Sequence, residues 1–264
     1  WYQPRQNVMV SSEWAAPNTV AQGFKPADVA AGKYGKQLHF WNWKERSLMQ
    51  SIDLGEQGWI PLEVRFLHNP DSDQGFVGAA LSSKIWRWWR QDDRWHAEPA
   101  VSVENVIVDG WSFPVPGLIT DLVVSLDDRF LYFSNWLHGD IRQYDISDPT
   151  KPKLTGQLYL GGVLGRTPSV RGKRLSGGPQ MLQLSYDGKR LYVTNSLYSP
   201  WDNQFYPDIK DAGFYMLKIQ CNTDRGGLEI DDSLFVDFGS EPLGAARAHE
   251  IRFSTGDSTS DVWT

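Results

Sequence analysis

Two stretches of this chain lie sixty residues apart and read as copies of one another. Ser125-Leu126-Asp127-Asp128-Arg129-Phe130-Leu131-Tyr132-Phe133-Ser134-Asn135 lines up with Ser185-Tyr186-Asp187-Gly188-Lys189-Arg190-Leu191-Tyr192-Val193-Thr194-Asn195. Each copy is a strand end, an acidic turn and a second strand, and each follows an alternating apolar run (Leu122-Val123-Val124 and Met181-Leu182-Gln183-Leu184). Such a period constrains the fold strongly, because one unit cannot bury both its apolar faces and must stack on its neighbours. A looser copy runs through Val64-Arg65-Phe66-Leu67, the turn Asn69-Pro70-Asp71-Ser72-Asp73 and residues 75–78. Another opens at Ile251-Arg252-Phe253-Ser254 with Gly256-Asp257 as its turn. At the front, residues 7–12 match the second strand of the unit, and no first strand is read before them.

Each unit continues with two more strand signals, most clearly residues 141–146, a turn at Ser147-Asp148-Pro149 and residues 154–160. Pro, Gly and Asp fall where the chain must turn, while β-branched and aromatic residues fill the runs. Four short strands at this period predict an all-β fold, a β-propeller of four-stranded antiparallel blades. The innermost strands are expected to start near residues 62, 120, 180 and 249. Residues 1–264 then hold a single propeller segment, a partial ring of about three whole blades and two partial ones. An open arc leaves unpaired strand edges and an uncovered apolar face, so the segment reads as the C-terminal part of a longer propeller. The aromatic excess (13 Trp, 12 Phe and 10 Tyr) suits packing layers between blades. No helical periodicity extends beyond about two turns.

With 26 basic residues against 32 acidic ones, the charge of −6 argues against binding nucleic acid through an electrostatic face. One cysteine rules out a disulfide framework and suits a reducing compartment. No apolar run approaches the ~20 residues of a membrane span, and no leader-type segment is read at the front.

From Trp1 to Thr264 the chain resembles the selenium-binding protein family, also described as methanethiol oxidase. The matching stretches are long: Ser12-Glu13-Trp14-Ala15-Ala16-Pro17-Asn18, Pro61-Leu62-Glu63-Val64-Arg65-Phe66-Leu67-His68-Asn69-Pro70, Pro116-Gly117-Leu118-Ile119-Thr120-Asp121, and the block 125–149 with Asn135-Trp136-Leu137-His138-Gly139-Asp140. Gly177-Gly178-Pro179-Gln180-Met181, Gln204-Phe205-Tyr206-Pro207-Asp208 and Ala248-His249-Glu250-Ile251-Arg252 complete them, while the loop between Gly162 and Arg174 is shorter than in the animal members. The resemblance implies a cytosolic enzyme that oxidises methanethiol with oxygen and water to formaldehyde, hydrogen sulfide and hydrogen peroxide, with copper as cofactor. The segment alone is expected to be inactive. Its partners would be a small thiol and oxygen, with no nucleic acid. The alternative it implies is a selenium-binding scaffold in intra-Golgi protein transport, with nuclear and peripheral membrane locations. The family's selenium-holding cysteine and its other proposed copper histidines are expected upstream of Trp1.

Five histidines are the candidates for a borderline metal. Aligning Ser254 with Ser185 and Ser125 sets His249 level with Gln180 and Thr120, at the mouth of an innermost strand. His138 follows a second strand and falls at the same end. These two are the metal-ligand candidates, each weighed against a structural alternative: a half-buried imidazole bonded to backbone for His249, a stabilising corner for His138. His68 belongs to a turn at the opposite end, where it would cap residues 69–73. His39 and His96 read as surface or packing residues.

Glu63, Asp121 and Glu250 share a register beside the mouth. They would either orient ligating imidazoles or pair with Arg65 and Arg252. Glu13 faces the same end, with a salt bridge as its alternative. Cys221 has no basic neighbour in sequence and reads as structural. The acidic pairs Asp71/Asp73, Asp127-Asp128 and Asp231-Asp232 lack the spacing of a calcium loop and read as hairpin turns. Gly161-Gly162 and Gly177-Gly178 precede no helix with a Lys, so no phosphate cradle is expected. Trp86-Arg87-Trp88-Trp89-Arg90 reads as inter-blade packing through Arg–aromatic contact. No Ser/His/Asp nucleophile signature is present, and no carboxylate–Asn cluster of a calcium-dependent hydrolase.

Overall fold

The computed structural model describes residues 1–254. Four antiparallel sheets follow one another along the chain, each of four strands in sequence order. The first holds β1 (Tyr2–Gln3), β2 (Val8–Ser12), β3 (Gln37–Asn42) and β4 (Ser47–Asp53). The second holds β5 (Pro61–Phe66), β6 (Gln74–Ala79), β7 (Lys84–Gln91) and β8 (Arg94–Ser102). The third comprises β9 (Ile119–Val124), β10 (Phe130–Asn135), β11 (Asp140–Asp145) and β12 (Lys153–Tyr159). After a small hairpin, β13 (Ser169–Val170) and β14 (Lys173–Arg174), the fourth holds β15 (Leu182–Leu184), β16 (Arg190–Thr194), β17 (Tyr215–Cys221) and β18 (Leu228–Asp237). These are blades of a propeller, and the expected all-β class holds. The front differs in one detail: Tyr2 and Gln3 pair with Met9 and Val8, so the first sheet does have an inner strand, too short for an alternating pattern to reveal.

Burial grades across each blade as the architecture requires. Every residue of β9 and β10 is buried, while β12 is half-buried to exposed. Apolar layers fill the gaps between blades. In one, Phe40 of the first blade stacks on Trp95 at 4.4 Å and meets Trp88 edge-on at 5.6 Å. The tryptophan-rich β7 therefore packs between blades, with Arg87 lying 4.6 Å over Trp89 on its other side.

The two ends of the blades differ. At one end lie short turns; residues 125–129 and 185–189 are built alike. Ser125 Oγ donates to Asp127 Oδ1 and accepts from the Phe130 amide, and Ser185 repeats both bonds with Asp187 and Arg190. Asp231-Asp232, expected as a hairpin turn, instead lie within β18 beside a break in its register with β17. Asp231 pairs there with Lys218 at 2.8 Å; a bulge needs no turn residues, and the pair is a strand-face ion pair.

At the other end, the connections are long and carry every helix of the described residues: α1 (Asn18–Gln22), α2 (Pro26–Ala30), α3 (Ser199–Phe205) and α4 (Ile209–Ala212). Insertions from the first and fourth blades meet there. Phe24 exchanges two 2.9 Å hydrogen bonds with the Gln204 amide, and Trp201 Nε1 donates to Thr19 O at 3.2 Å. Trp111, Trp136 and Phe205 join them in an aromatic roof.

Candidate functional site

Under this roof the innermost strands begin, and one hydrogen bond sets their register. Ser12 Oγ, at the end of β2, donates to Leu62 O at 2.8 Å. Ser134 Oγ, at the end of β10, donates to Gln180 O at 2.7 Å. Thr194 Oγ1, at the end of β16, donates to His249 O at 2.6 Å. The hydroxyl of each second strand thus fixes the first residue of the next blade. The second blade has Gly78 near that place, and Thr120 reaches Ser134 Oγ instead at 3.1 Å. Leu62, Gln180 and His249 are therefore equivalent, as the sequence repeat requires. Regular strand begins at Pro61 and Ile119 as expected, and two residues late, at Leu182, in the fourth blade. Residues 249–253 form no regular strand, contrary to the start expected near 249. One hydroxyl bond holds their register, and no strand pairs regularly with them among the described residues. The turn Gly256-Asp257 lies outside the described residues.

His249 is exposed. Its Nδ1 lies 2.7 Å from Ser196 O, and since a carbonyl only accepts, Nδ1 carries the proton and Nε2 the lone pair. Its ring stacks on Tyr198 at 5.9 Å. The neighbouring Arg247 donates at 2.8 Å to Asp202, a fully buried carboxylate of α3 that also accepts from Ser196 Oγ and the Leu197 amide. Burial raises the Asp202 pKa against those bonds. Residues 196–202 and 247–249 are thus locked together, and the imidazole is aimed by backbone on one side and an aromatic face on the other. Sequence reasoning missed Ser196, Tyr198, Asp202 and Arg247. The signal was present: Asn195-Ser196-Leu197-Tyr198 aligns with Asn135-Trp136-Leu137-His138, so Tyr198 occupies the repeat position of His138.

His138 is buried, and its Nε2–H donates to Val115 O at 2.9 Å. Burial lowers its pKa, so the ring is neutral at pH 7. This is the corner arrangement: the imidazole ties the 136–139 turn to the segment entering β9. His68 lies at the far end with its ring buried and Nε2 beside Val124 O at 3.1 Å. It does not cap residues 69–73 by itself; the caps are the Asp128 carboxylate oxygens, which accept from the His68 and Asn69 amides at 2.6 and 2.8 Å. His39 bonds Ser51 Oγ at 2.8 Å, and His96 stacks on Trp89 at 5.5 Å.

Of the mouth carboxylates, Glu63 pairs with Arg65 and Glu250 with Arg252. Asp121 is different. It is fully buried, with Oδ2 accepting from the Leu182 amide at 2.7 Å and Oδ1 without a partner. Burial first, and the nearby Glu63 second, raise its pKa well above the carboxylate range, against the pull of Arg65. Glu63 also raises the Tyr198 pKa, after burial, which puts the carboxylates and the His249 platform in one electrostatic neighbourhood. Glu13 is exposed and accepts from the Lys36 amide at 3.3 Å. Cys221 is buried, and desolvation pushes its thiol up to about 12, which disfavours the thiolate and fits a structural role.

Among the described residues, no group of three or more His, Cys, Asp or Glu side chains could hold a metal ion. The donor set fits one ligand, not a site. An imidazole with Nδ1–H on a carbonyl and Nε2 free is how proteins orient a metal-bound histidine, and His249 meets that description. Among the described residues, no helix is long and apolar enough to cross a membrane.

The whole chain, residues 1–264, matches the model of the 56 kDa selenium-binding protein family (SBP56). It is 56% identical to a methanethiol oxidase of Xenopus laevis and 55% identical to one of Homo sapiens, in each case over all of this chain and 60% of the relative. A mouse relative, selenium-binding protein 2, is 54% identical over the same share. The chain thus spans about three fifths of the length of these curated relatives. Among solved structures, a hypothetical selenium-binding protein from Sulfolobus tokodaii superimposes with a TM-score of 0.90 at 43% identity, over all of this chain and 59% of that one. A putative 6-phosphogluconolactonase from Bacteroides uniformis superimposes at 0.52 with 16% identity over 84% of this chain and 59% of that one, which shows the propeller fold alone. The chain belongs to the 56 kDa selenium-binding protein family.

Proposed function

We propose that this chain is the larger part of a methanethiol oxidase, and that its four blades are completed to a ring by the remaining length of the relatives it matches. In the reaction, one methanethiol, one dioxygen and one water give one formaldehyde, one hydrogen sulfide and one hydrogen peroxide. The carbon loses two electrons, dioxygen gains them as peroxide, and water supplies the carbonyl oxygen. Identity of 54–56% over the whole chain to proteins called methanethiol oxidase supports the activity. The observation that carries the site is His249: an oriented imidazole at the innermost-strand mouth, in the register fixed by Thr194.

Side chains alone supply no one-electron chemistry to dioxygen, so the reading includes copper, held by His249 Nε2 with further ligands from outside this chain. Bound copper would supply a thiophilic, redox-active centre. The residues of this chain have simpler roles. Ser196 O fixes the tautomer of His249, Tyr198 fixes its plane, and the Asp202–Arg247 pair holds the segment that carries it. Burial raises the Asp121 pKa beside the Glu63–Arg65 pair at that face.

The test is His249→Ala in the full-length protein. Copper content and peroxide release from methanethiol should fall together, at least tenfold, because outer-sphere support cannot replace a lost ligand. His138→Ala should leave copper content near wild type while lowering stability. Full copper and full activity in His249→Ala would remove this face from the active site. The second reading, a selenium-binding scaffold in protein transport, rests on the family's name; a wild-type protein with neither copper nor peroxide formation would favour it.

A further inference from the structure

The aromatic roof is not solid. Between the 105–118 segment and the helices lies an open-mouthed cavity of about 380 Å³, with exposed Asn105, Phe113 and Pro114 at its rim. Leu118 and Leu137 form its floor, Phe24, Trp201 and Phe205 one wall, and Phe113 with Pro114 the other. No lining residue is charged; with the Trp201 N–H already donated to Thr19 O, Asn105 supplies the polar side chain of the lining. The lining comes from connections of all four blades, so its assembly is a tertiary feature rather than a local loop shape. The walls are held firmly: Val106 and Val115 exchange backbone hydrogen bonds of 3.0 and 2.8 Å across the base of the 105–118 segment, and the Gln204–Phe24 pair clamps the helical side. Methanethiol, with two heavy atoms, would leave such a space almost empty.

We propose that this cavity is a binding site for a neutral aromatic or long aliphatic molecule bearing a single hydrogen-bonding group. The volume lies in the range of pockets that bury a small organic ligand. An uncharged, ring-lined wall penalises a carboxylate, sulfonate or phosphate, which would enter without a counter-charge. The lone amide of Asn105 selects for one polar group and offers both a donor and an acceptor to it. The floor adjoins the innermost-strand mouth, since Leu118 precedes β9 and Leu137 precedes His138. A bound molecule there would sit against the corner that His138 ties to Val115. The site stands on its own geometry and is independent of the oxidase reading.

The experiment uses the full-length protein and two probes that differ in charge. N-phenyl-1-naphthylamine is neutral with one N–H; 8-anilinonaphthalene-1-sulfonate keeps the rings and adds an anion. The neutral probe should bind one per chain with enhanced fluorescence, and the sulfonate at least tenfold more weakly. Leu81→Trp, which adds bulk at the cavity wall, should abolish neutral-probe binding. Asn105→Leu, at an exposed position, should weaken it roughly threefold to tenfold, the worth of one hydrogen bond. Should Leu81→Trp lose its cooperative melt, Val29→Trp, at another lining position, gives the same reading. No binding by wild type, equal binding of both probes, or undiminished binding in the filled variants would each overturn the site. Methanethiol oxidation by the same samples is measured separately, so failure here leaves the oxidase reading untouched.

Discussion

The two ends of these blades solve opposite problems. At the turn end, the Ser125–Asp127 and Ser185–Asp187 side chains bond within a few residues and the same network recurs sixty residues later, with Asp128 added as a tie to the His68 and Asn69 amides of the neighbouring blade. At the roofed end, the bonds are long in sequence: Phe24 to Gln204, Thr194 to His249, Asp121 to Leu182. There too a carboxyl oxygen is left buried and unpartnered. Local, repeated bonding is what a blade needs to form. A buried carboxyl with an unused oxygen contributes nothing to forming a blade, and such groups cluster where function is built. The proposed division, a turn end for folding and a roofed end for chemistry, rests on that difference.

The strongest test of that division is Gly178→Ala. A methyl at Gly178 would lie 1.8 Å from Trp136 O and 2.9 Å from Tyr206 Oη, and Tyr206 already donates to that carbonyl at 2.5 Å. Backbone cannot retreat from both, so the roofed end should open and the protein lose roughly 3 kcal/mol or more. A thermal melt within a degree of wild type would mean the third and fourth blades are not locked there. Next is His68→Ala at the turn end. It empties a buried site and strands Val124 O, for about 2–3 kcal/mol by denaturant titration. Copper content and turnover of the folded protein should stay at wild type. Loss of activity at retained stability would break the assignment of the ends.

How much of this was legible beforehand follows from the same contrast. The turn end is written locally: Ser-x-Asp then a strand appears twice in sequence and twice in space. The register of His249 was legible too, because the repeat carries Ser134 and Thr194 to equivalent places. What the sequence hid was the company His249 keeps. Tyr198 does align with His138 in the repeat, but Asp202 and Arg247 lie outside it, in the fourth-blade insertion and in the segment before His249. The contacts that join these two segments span some fifty residues. Tyr2–Gln3 was hidden for another reason, since two residues carry no alternation. Asp231-Asp232 looked like a turn because composition alone does not separate a turn from a strand bulge.

Asp121 sharpens the comparison with a smaller effect. Its pKa is raised in the folded state, so the fold holds a proton that the unfolded chain releases. Its contribution is therefore favourable below the ordinary aspartate range and declines as pH rises through about 4 toward the folded pKa. Asp121→Asn keeps an acceptor for the Leu182 amide and removes the titrating proton. It should match wild type near pH 4 and exceed it by about 1 kcal/mol at pH 7, while Asp121→Ala is destabilised at both. An Asn variant less stable than wild type at pH 7 would show that the folded carboxylate is ionised.

Asp187, at the turn end, should show the opposite sign and the smallest size. The Ser185 hydroxyl, the Lys189 amide and Arg190 hold its pKa below the usual range, outweighing its slight burial. A depressed folded pKa means stability that is present above the unfolded value and fades as pH falls through the folded one. The side chain is 46% exposed, so solvent screening limits the effect to about 0.5 kcal/mol at pH 7. Asp187→Asn should therefore be slightly less stable than wild type at pH 7, and the two should converge below about pH 3, where the carboxylate is protonated in both states. Paired urea titrations at pH 7 and pH 3 read this directly. Asp121→Asn and Asp187→Asn should thus move in opposite directions as pH rises. If both move the same way, the two ends do not differ in how they carry charge, and the division between folding end and chemical end fails.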